Sequence, residues 1–351
     1  MLIATGCAFL LNVLITPIVI ALCKKYNWYD EVDPRKVHKG SVPRLGGFGV
    51  FLSFIVAASV YIFVFSPEDY FSVLPIFVGG FVIFAAGVLD DFFNLRAKLK
   101  FVIQIAAGLT VSLSPLYFHS ILGFAIPSVL GRIITFLWII GLVNAYNLID
   151  GLDWLCGGLS FLTLMTMGFI LTSYGRDAGN LYFVLCGSLA GFLVFNRPPA
   201  KIFLGDGGSQ TLGYFIAVSP LFSTFGVFDD MKFIVLVLLT SIPVTDVIAA
   251  VWRRKRDHRA IFSADRAHIH HKLINIGFSK TTTVGFLLIL QVLICLSSLG
   301  VIFMRNKKSA VVLLFVALSF VYLFFITIHY INRAVNIKMQ GHLDAAPQKE
   351  H

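Results

Sequence analysis

Apolar residues in this chain come in runs of about 20, the length that carries an α-helix across a bilayer. The runs fall at roughly 1–23, 46–66, 71–89, 101–118, 128–146, 157–173, 180–195, 208–225, 231–252, 283–304 and 309–331. That pattern predicts an all-α bundle of about eleven transmembrane helices. The segments between the runs leave no room for a large soluble domain, and no internal repeat, low-complexity tract or Pro/Gly/Ser linker divides them. The expectation is one integral-membrane domain over 1–335 and a short polar cytoplasmic tail over 336–351.

Composition supports this class. Of 351 residues, 58% are hydrophobic and 13% charged, 35 are Phe, and the mean hydropathy is +0.86. Soluble domains carry about 25% charged residues and cannot cover so much apolar surface. The first run is no cleaved leader by pattern. It lacks a basic start and a small-residue cleavage site, and Lys24-Lys25 follows it. Cys7, Cys23, Cys156, Cys186 and Cys295 are scattered without C-x-x-C spacing, as reduced packing residues are.

The net charge of +10 would point to nucleic acid in a soluble protein. Its distribution points elsewhere. With the N-terminus outside and the C-terminus cytoplasmic, segments 24–45, 90–100, 147–156, 196–207, 253–282 and the tail from 332 face the cytoplasm. They hold 22 of the 28 Lys and Arg, as the positive-inside rule requires. Arg305, Lys307 and Lys308 run against that orientation. No nucleic-acid partner is expected.

The chemistry sits on the same face. Asp90-Asp91 closes the third run beside Arg96, Lys98 and Lys100. Asn144, Asn147, Asp150 and Asp153 are spaced three apart, which on a helix forms one stripe, although Gly151, Gly157 and Gly158 interrupt it. Asp206 stands among Gly205, Gly207 and Gly208 at the head of an apolar helix. There it is either an N-cap or part of an anion site of open amides, with Lys201 near. His268, His270 and His271 share a loop with seven Arg and Lys, and Arg35, Lys36, His38, Lys39 and Arg44 precede Gly46-Gly47. Both basic loops suit phosphate or anionic lipid, and the His spacing without Cys is a poor zinc pattern. Carboxylates suited to Mg²⁺ and cations suited to phosphate share one face beside a lipid phase. That fits an enzyme joining a nucleotide-linked group to a lipid phosphate. A secondary transporter would place its site at the midplane of repeated halves.

Five strings in order now resemble the polyprenyl-phosphate N-acetylhexosamine-1-phosphate transferase family. They are Gly87-Val88-Leu89-Asp90-Asp91 with Lys98, Lys100 and Gln104; Asn144 to Asp153; Asn196 through Phe203 to Ser209; Pro243-Val244-Thr245-Asp246; and Asp265-Arg266-Ala267-His268-Ile269-His270-His271. The likeness spans about residues 24–280. His-Ile-His-His is similar to the branch that uses UDP-N-acetylglucosamine to start O-antigen, common antigen or teichoic acid. The branch transferring phospho-N-acetylmuramoyl-pentapeptide has three consecutive His. Trp154 stands where the family usually has Gly.

The resemblance implies a multi-pass enzyme of the bacterial inner membrane that transfers N-acetylhexosamine 1-phosphate, expected to be the GlcNAc group, to undecaprenyl phosphate. UMP is released. It implies Asp90, Asp91 and Asp206 as catalytic, and Asp206 with Asp150 as ligands of Mg²⁺, or of Mn²⁺ in its place. Substrate contacts are implied for His38, Lys98, Lys100, Asn144, Asn147, Asp153, Asn196, Lys201, Arg266, His268, His270 and His271. Asp246 is expected to support the site or to mark a helix kink. Membrane lipid surrounds the protein, and a homodimer is compatible with this reading. A direct attack and a covalent phospho-Asp route stay open.

Overall fold

The computed structural model describes residues 1–29, 42–65, 70–175, 179–222, 226–260 and 267–344. Eight helices lead to the centre of the bundle: α1 (Leu2–Tyr26), α2 (Gly46–Phe65), α3 (Tyr70–Phe93), α4 (Ala97–Ser112), α5 (Ser128–Ile149), α6 (Leu155–Ser173), α7 (Gly179–Asn196) and α8 (Gly205–Val218). Then follow α9 (Gly226–Leu239), α10 (Ser241–Arg256), α11 (Ile269–Ile276), α12 (Lys280–Phe303) and α13 (Lys307–Asp344). The protein is an all-α, multi-pass membrane protein. A two-residue hairpin, β1 (Ser120–Ile121) and β2 (Phe124–Ala125), interrupts the α4–α5 connection.

Eight described helices are long and apolar enough to cross a membrane. The single run at 231–252 is corrected by the structure. It breaks at Thr240 into α9 and α10, which bend by 77°, and as a pair they make a ninth candidate span. The break is tolerated because Leu239 O, freed from the helix ladder, accepts from Gln291 Nε2 at 2.8 Å, and buried carbonyls need such partners. Pro243 falls in the first turn of α10, where a missing N–H costs little. The remaining two runs fold as α4 and α8, helices of 16 and 14 residues. α13 continues to Asp344, past the point where the sequence places the polar tail.

α8 is the hub. Every residue of it but Asp206 is buried, and it packs against α3, α5 and α2. Small residues permit that approach, as they do between helices in membranes. A Cβ on Gly87 of α3 would lie 2.6 Å from Asp206 O, so glycine there lets the end of α3 touch the start of α8. Gly205 opens α8 at φ +75°, a conformation glycine adopts without steric cost. These two glycines bring Asp90, Asp91 and Asp206 together.

Candidate active site

The two adjacent carboxylates at the end of α3 take different partners. Asp91 accepts from Asp206 N and Gly207 N at 2.9 and 3.0 Å. It therefore caps α8 from a neighbouring helix and satisfies two of the amides a helix leaves open. Of the two readings left open for Asp206, the N-cap is excluded: Asp206 is the second residue of α8, and the capping carboxylate is Asp91. Asp90, 5% exposed, accepts from Leu95 N at 2.7 Å and pairs with Lys100 Nζ.

Lys100 Nζ also lies 3.4 Å from Asp206 Oδ2. One ammonium thus stands between carboxylates of α3 and α8. Asp206 is further held by Gln210 Nε2 at 3.3 Å, one turn along α8. Gln210 Oε1 accepts from Gln104 Nε2 at 3.1 Å, and Gln104 Oε1 from Asn144 Nδ2 at 2.8 Å. Asn144 therefore joins the site through the glutamines. Gln210 is the participant the sequence did not single out; its place one turn after Asp206 was the available signal.

Asn147 Nδ2 donates to Ser209 Oγ at 3.3 Å, tying α5 to the first turns of α8. α5 ends at Ile149, so the stripe expected over 144–153 is broken at its last residues. Asp150 leaves helical geometry at φ −76°, ψ 56°. Desolvation of its carboxyl, then the charge of Asp206, push Asp150 up to about 8. Asp153 turns away, and its Oδ2 accepts from Ala200 N at 3.0 Å. Asn196 bridges backbone: Oδ1 accepts from Trp154 N and Nδ2 donates to Ile202 O, both at 2.8 Å.

The histidine segment folds as α11, fixed from α10. Asp246 accepts from Ile269 N at 2.9 Å and holds His268 Nδ1 at 2.9 Å. His270 is buried, and its ring covers Gly151 so closely that a Cβ there would overlap it. Desolvation, reinforced by the charge of His271, pushes His270 down to about 3, so it is a neutral imidazole. α11 thus lies directly on the Asp150 turn.

Not every expected residue joins the cluster. Lys98 and Lys201 are exposed, and neither shares the contacts of Asp206. His271 is half-buried beside His270, their rings 4.3 Å apart. His38 and Arg266 lie outside the described residues.

Among the described residues, no three His, Cys, Asp or Glu side chains converge as a metal cage. Mg²⁺ does not need one. It takes one or two carboxylates and completes its shell with water and substrate phosphate. The donors here are oxygens, crowded enough that Asp206 raises Asp150, and Lys100 already marks a place for positive charge between Asp90 and Asp206. The residues fit a hard divalent cation.

The chain is similar to known proteins over most of its length. Residues 73–241 match glycosyl transferase family 4. The chain is 32% identical to the "probable undecaprenyl-phosphate N-acetylglucosaminyl 1-phosphate transferase" of Bacillus subtilis, over 91% of this chain and 88% of that protein. It is 30% identical to the undecaprenyl-phosphate alpha-N-acetylglucosaminyl 1-phosphate transferase of Escherichia coli K12, over 80% and 78%. It is 32% identical to the decaprenyl-phosphate N-acetylglucosaminephosphotransferase of Mycobacterium leprae, over 80% and 78%. With these likenesses spanning most of its length, the chain belongs to glycosyl transferase family 4, among its polyprenyl-phosphate hexosamine-1-phosphate transferases.

Proposed function

We propose that the protein transfers N-acetylglucosamine 1-phosphate from UDP-GlcNAc to undecaprenyl phosphate at the cytoplasmic face of the bacterial inner membrane. The products are undecaprenyl-diphospho-GlcNAc and UMP, and the product starts a cell-envelope polysaccharide. The observation that carries the reading is the meeting of Asp90 and Asp206, from α3 and α8, on the single ammonium of Lys100. The relatives named above are N-acetylglucosaminyl 1-phosphate transferases, which supports GlcNAc over the muramoyl-pentapeptide group.

The chemistry follows from charge. A phosphate monoester has a second pKa near ~6, so the lipid phosphate is largely ionised at neutral pH. An oxygen of that phosphate attacks the β-phosphorus, and the bond from β-phosphorus to the bridging oxygen breaks, leaving UMP. Catalysis then consists mainly of positioning and neutralisation. Asp206 and Asp150 would hold Mg²⁺, which supplies positive charge to the diphosphate. Lys100 adds a second charge, and Asp90 orients it and accepts a proton from any monoanionic lipid phosphate. Asp91 fixes the head of α8, while His268 and His271, at the start of α11, would contact the diphosphate.

Purified protein with UDP-GlcNAc, undecaprenyl phosphate and Mg²⁺ should release UMP, and EDTA should stop release. Full activity of Asp206→Asn would overturn the metal assignment. Activity with UDP-MurNAc-pentapeptide but not UDP-GlcNAc would overturn the donor. A phosphorylated enzyme trapped without lipid acceptor would establish the covalent route.

A further inference from the structure

On the far side of the Asp150–Trp154 turn, a cleft of about 710 Å³ opens between α6, α7 and α12. Phe161, Leu193, Val284 and Leu288 form its apolar walls. α6 and α12 close its floor, since a Cβ on Gly158 would lie 2.7 Å from Leu288. Trp154 forms one side, pinned by its indole Nε1 donating to Leu193 O at 2.8 Å. The flanking surface is apolar and outward: Val194 is 56% exposed and Ile289 64%. A cleft edged this way opens to the bilayer.

One end has the opposite chemistry. Arg197 lines it, exposed, with no ion-pair or hydrogen-bond partner among the described residues. Thr281, in the first turn of α12, lines the same end. Its N–H belongs to the set a helix leaves open, and that end of the dipole favours an anion. An adjoining cavity of about 300 Å³, bordered by Asp153 and Lys280, shares Pro198, Thr281 and Val284 with the cleft. Asp153 already accepts from Ala200 N. Two cations, Arg197 and Lys280, and one anion, Asp153, surround this mouth, and the exposed guanidinium suits a phosphate oxygen.

We propose that this cleft binds one anionic glycerophospholipid, its phosphate on Arg197 and an acyl chain between Phe161, Leu193 and Leu288. Basic pockets between transmembrane helices take anionic headgroups in this way. The site is separate from the carboxylate cluster, whose residues come from α3, α4, α5 and α8, and it does not depend on which sugar is transferred.

The test is photolabelling of the full-length protein in nanodiscs with phosphatidylglycerol or phosphatidylcholine carrying the same diazirine-tagged chain. Peptides covering 154–161 and 284–293 should carry the phosphatidylglycerol adduct in about fivefold excess. Arg197→Gln should bring that ratio close to one. Gly285→Phe should remove both adducts from these peptides, because α12 has nothing within 4 Å of a Cβ at Gly285 and the ring can enter the cleft. Equal labelling by the two lipids in the wild type would overturn the proposal. So would adducts that persist undiminished in Gly285→Phe, or displacement by stoichiometric undecaprenyl phosphate, which would make the cleft an acceptor site.

Discussion

Asp91 reaches from the last turn of α3 to the first turn of α8, where the backbone N–H groups of Asp206 and Gly207 donate to its two oxygens. Its neighbour Asp90 points instead to Lys100. Two adjacent acids of one motif therefore hold different offices. One fixes where Asp206 stands, and the other faces the charge that Asp206 shares.

Substitution should separate them. Asp91→Asn keeps one carbonyl oxygen and turns an NH₂ toward a backbone N–H, so one amide of α8 loses its acceptor. Stability should fall by about 1–2 kcal/mol, the usual cost of a lost cap or an unsatisfied buried donor. Activity should fall with it. Asp90→Asn should melt near the wild-type temperature yet lose at least about 100-fold in turnover, a typical charge-stabilisation effect. Thermal melting in detergent beside UMP release checks both. An Asp91→Asn protein as stable as wild type would refute the capping role.

Gly151 and His270 make a second pair. No alanine fits at 151 without displacing the His270 ring, and overpacking of this kind costs about 1–3 kcal/mol. Gly151→Ala should lift α11 from the Asp150 turn and reduce both stability and activity. Gly151→Ala combined with His270→Ala vacates the clash. The pair should then be more stable than the sum of its single changes predicts, by at least about 0.5 kcal/mol. Strict additivity would show that the ring and the turn do not press on each other.

Much of this was legible in the chain. Each of the eleven apolar runs carries helix, although α4 and α8 stop short of the ends of theirs, and acids near the ends of α3 and α8 meet in the candidate site. What escaped was direction. An apolar run carries no sign of where its axis turns, so the 77° bend at Thr240 was invisible within 231–252. Spacing also overreached. Asn144 and Asn147 share α5, but the helix ends before Asp153, which turns to Ala200. Lys98 and Lys100 read alike in sequence. Two residues apart on α4 they point about 200° apart, so only Lys100 meets Asp90 and Asp206.

Trp154 illustrates a departure that geometry explains. It sits at φ 69°, in the left-handed region that glycine occupies freely. A side chain there costs about 1–2 kcal/mol, offset here by the indole bond to Leu193 O. Trp154→Ala keeps the strained φ and loses the indole, whereas Trp154→Gly loses the indole and the strain together. The glycine variant should therefore be the more stable of the two by about 1 kcal/mol. Equal melting temperatures would show that the turn relaxes out of the left-handed region once the indole is gone.

The buried imidazole of His270 makes the protein sensitive to acid. An unfolded chain protonates this histidine near 6.5, while burial holds the folded one down to about 3. Above pH 6.5 both states are neutral and the group contributes no pH dependence. As pH falls from 6.5 toward 3, the unfolded state binds a proton that the folded state refuses, so stability drops by up to about 1.4 kcal/mol per pH unit. His270→Gln cannot titrate. Between pH 7.5 and 5 the wild type should lose up to about 2 kcal/mol more than the variant, and thermal midpoints at the two pH values measure the difference. Parallel losses in the two proteins would mean that His270 takes up its proton in place, with the folded site open to water.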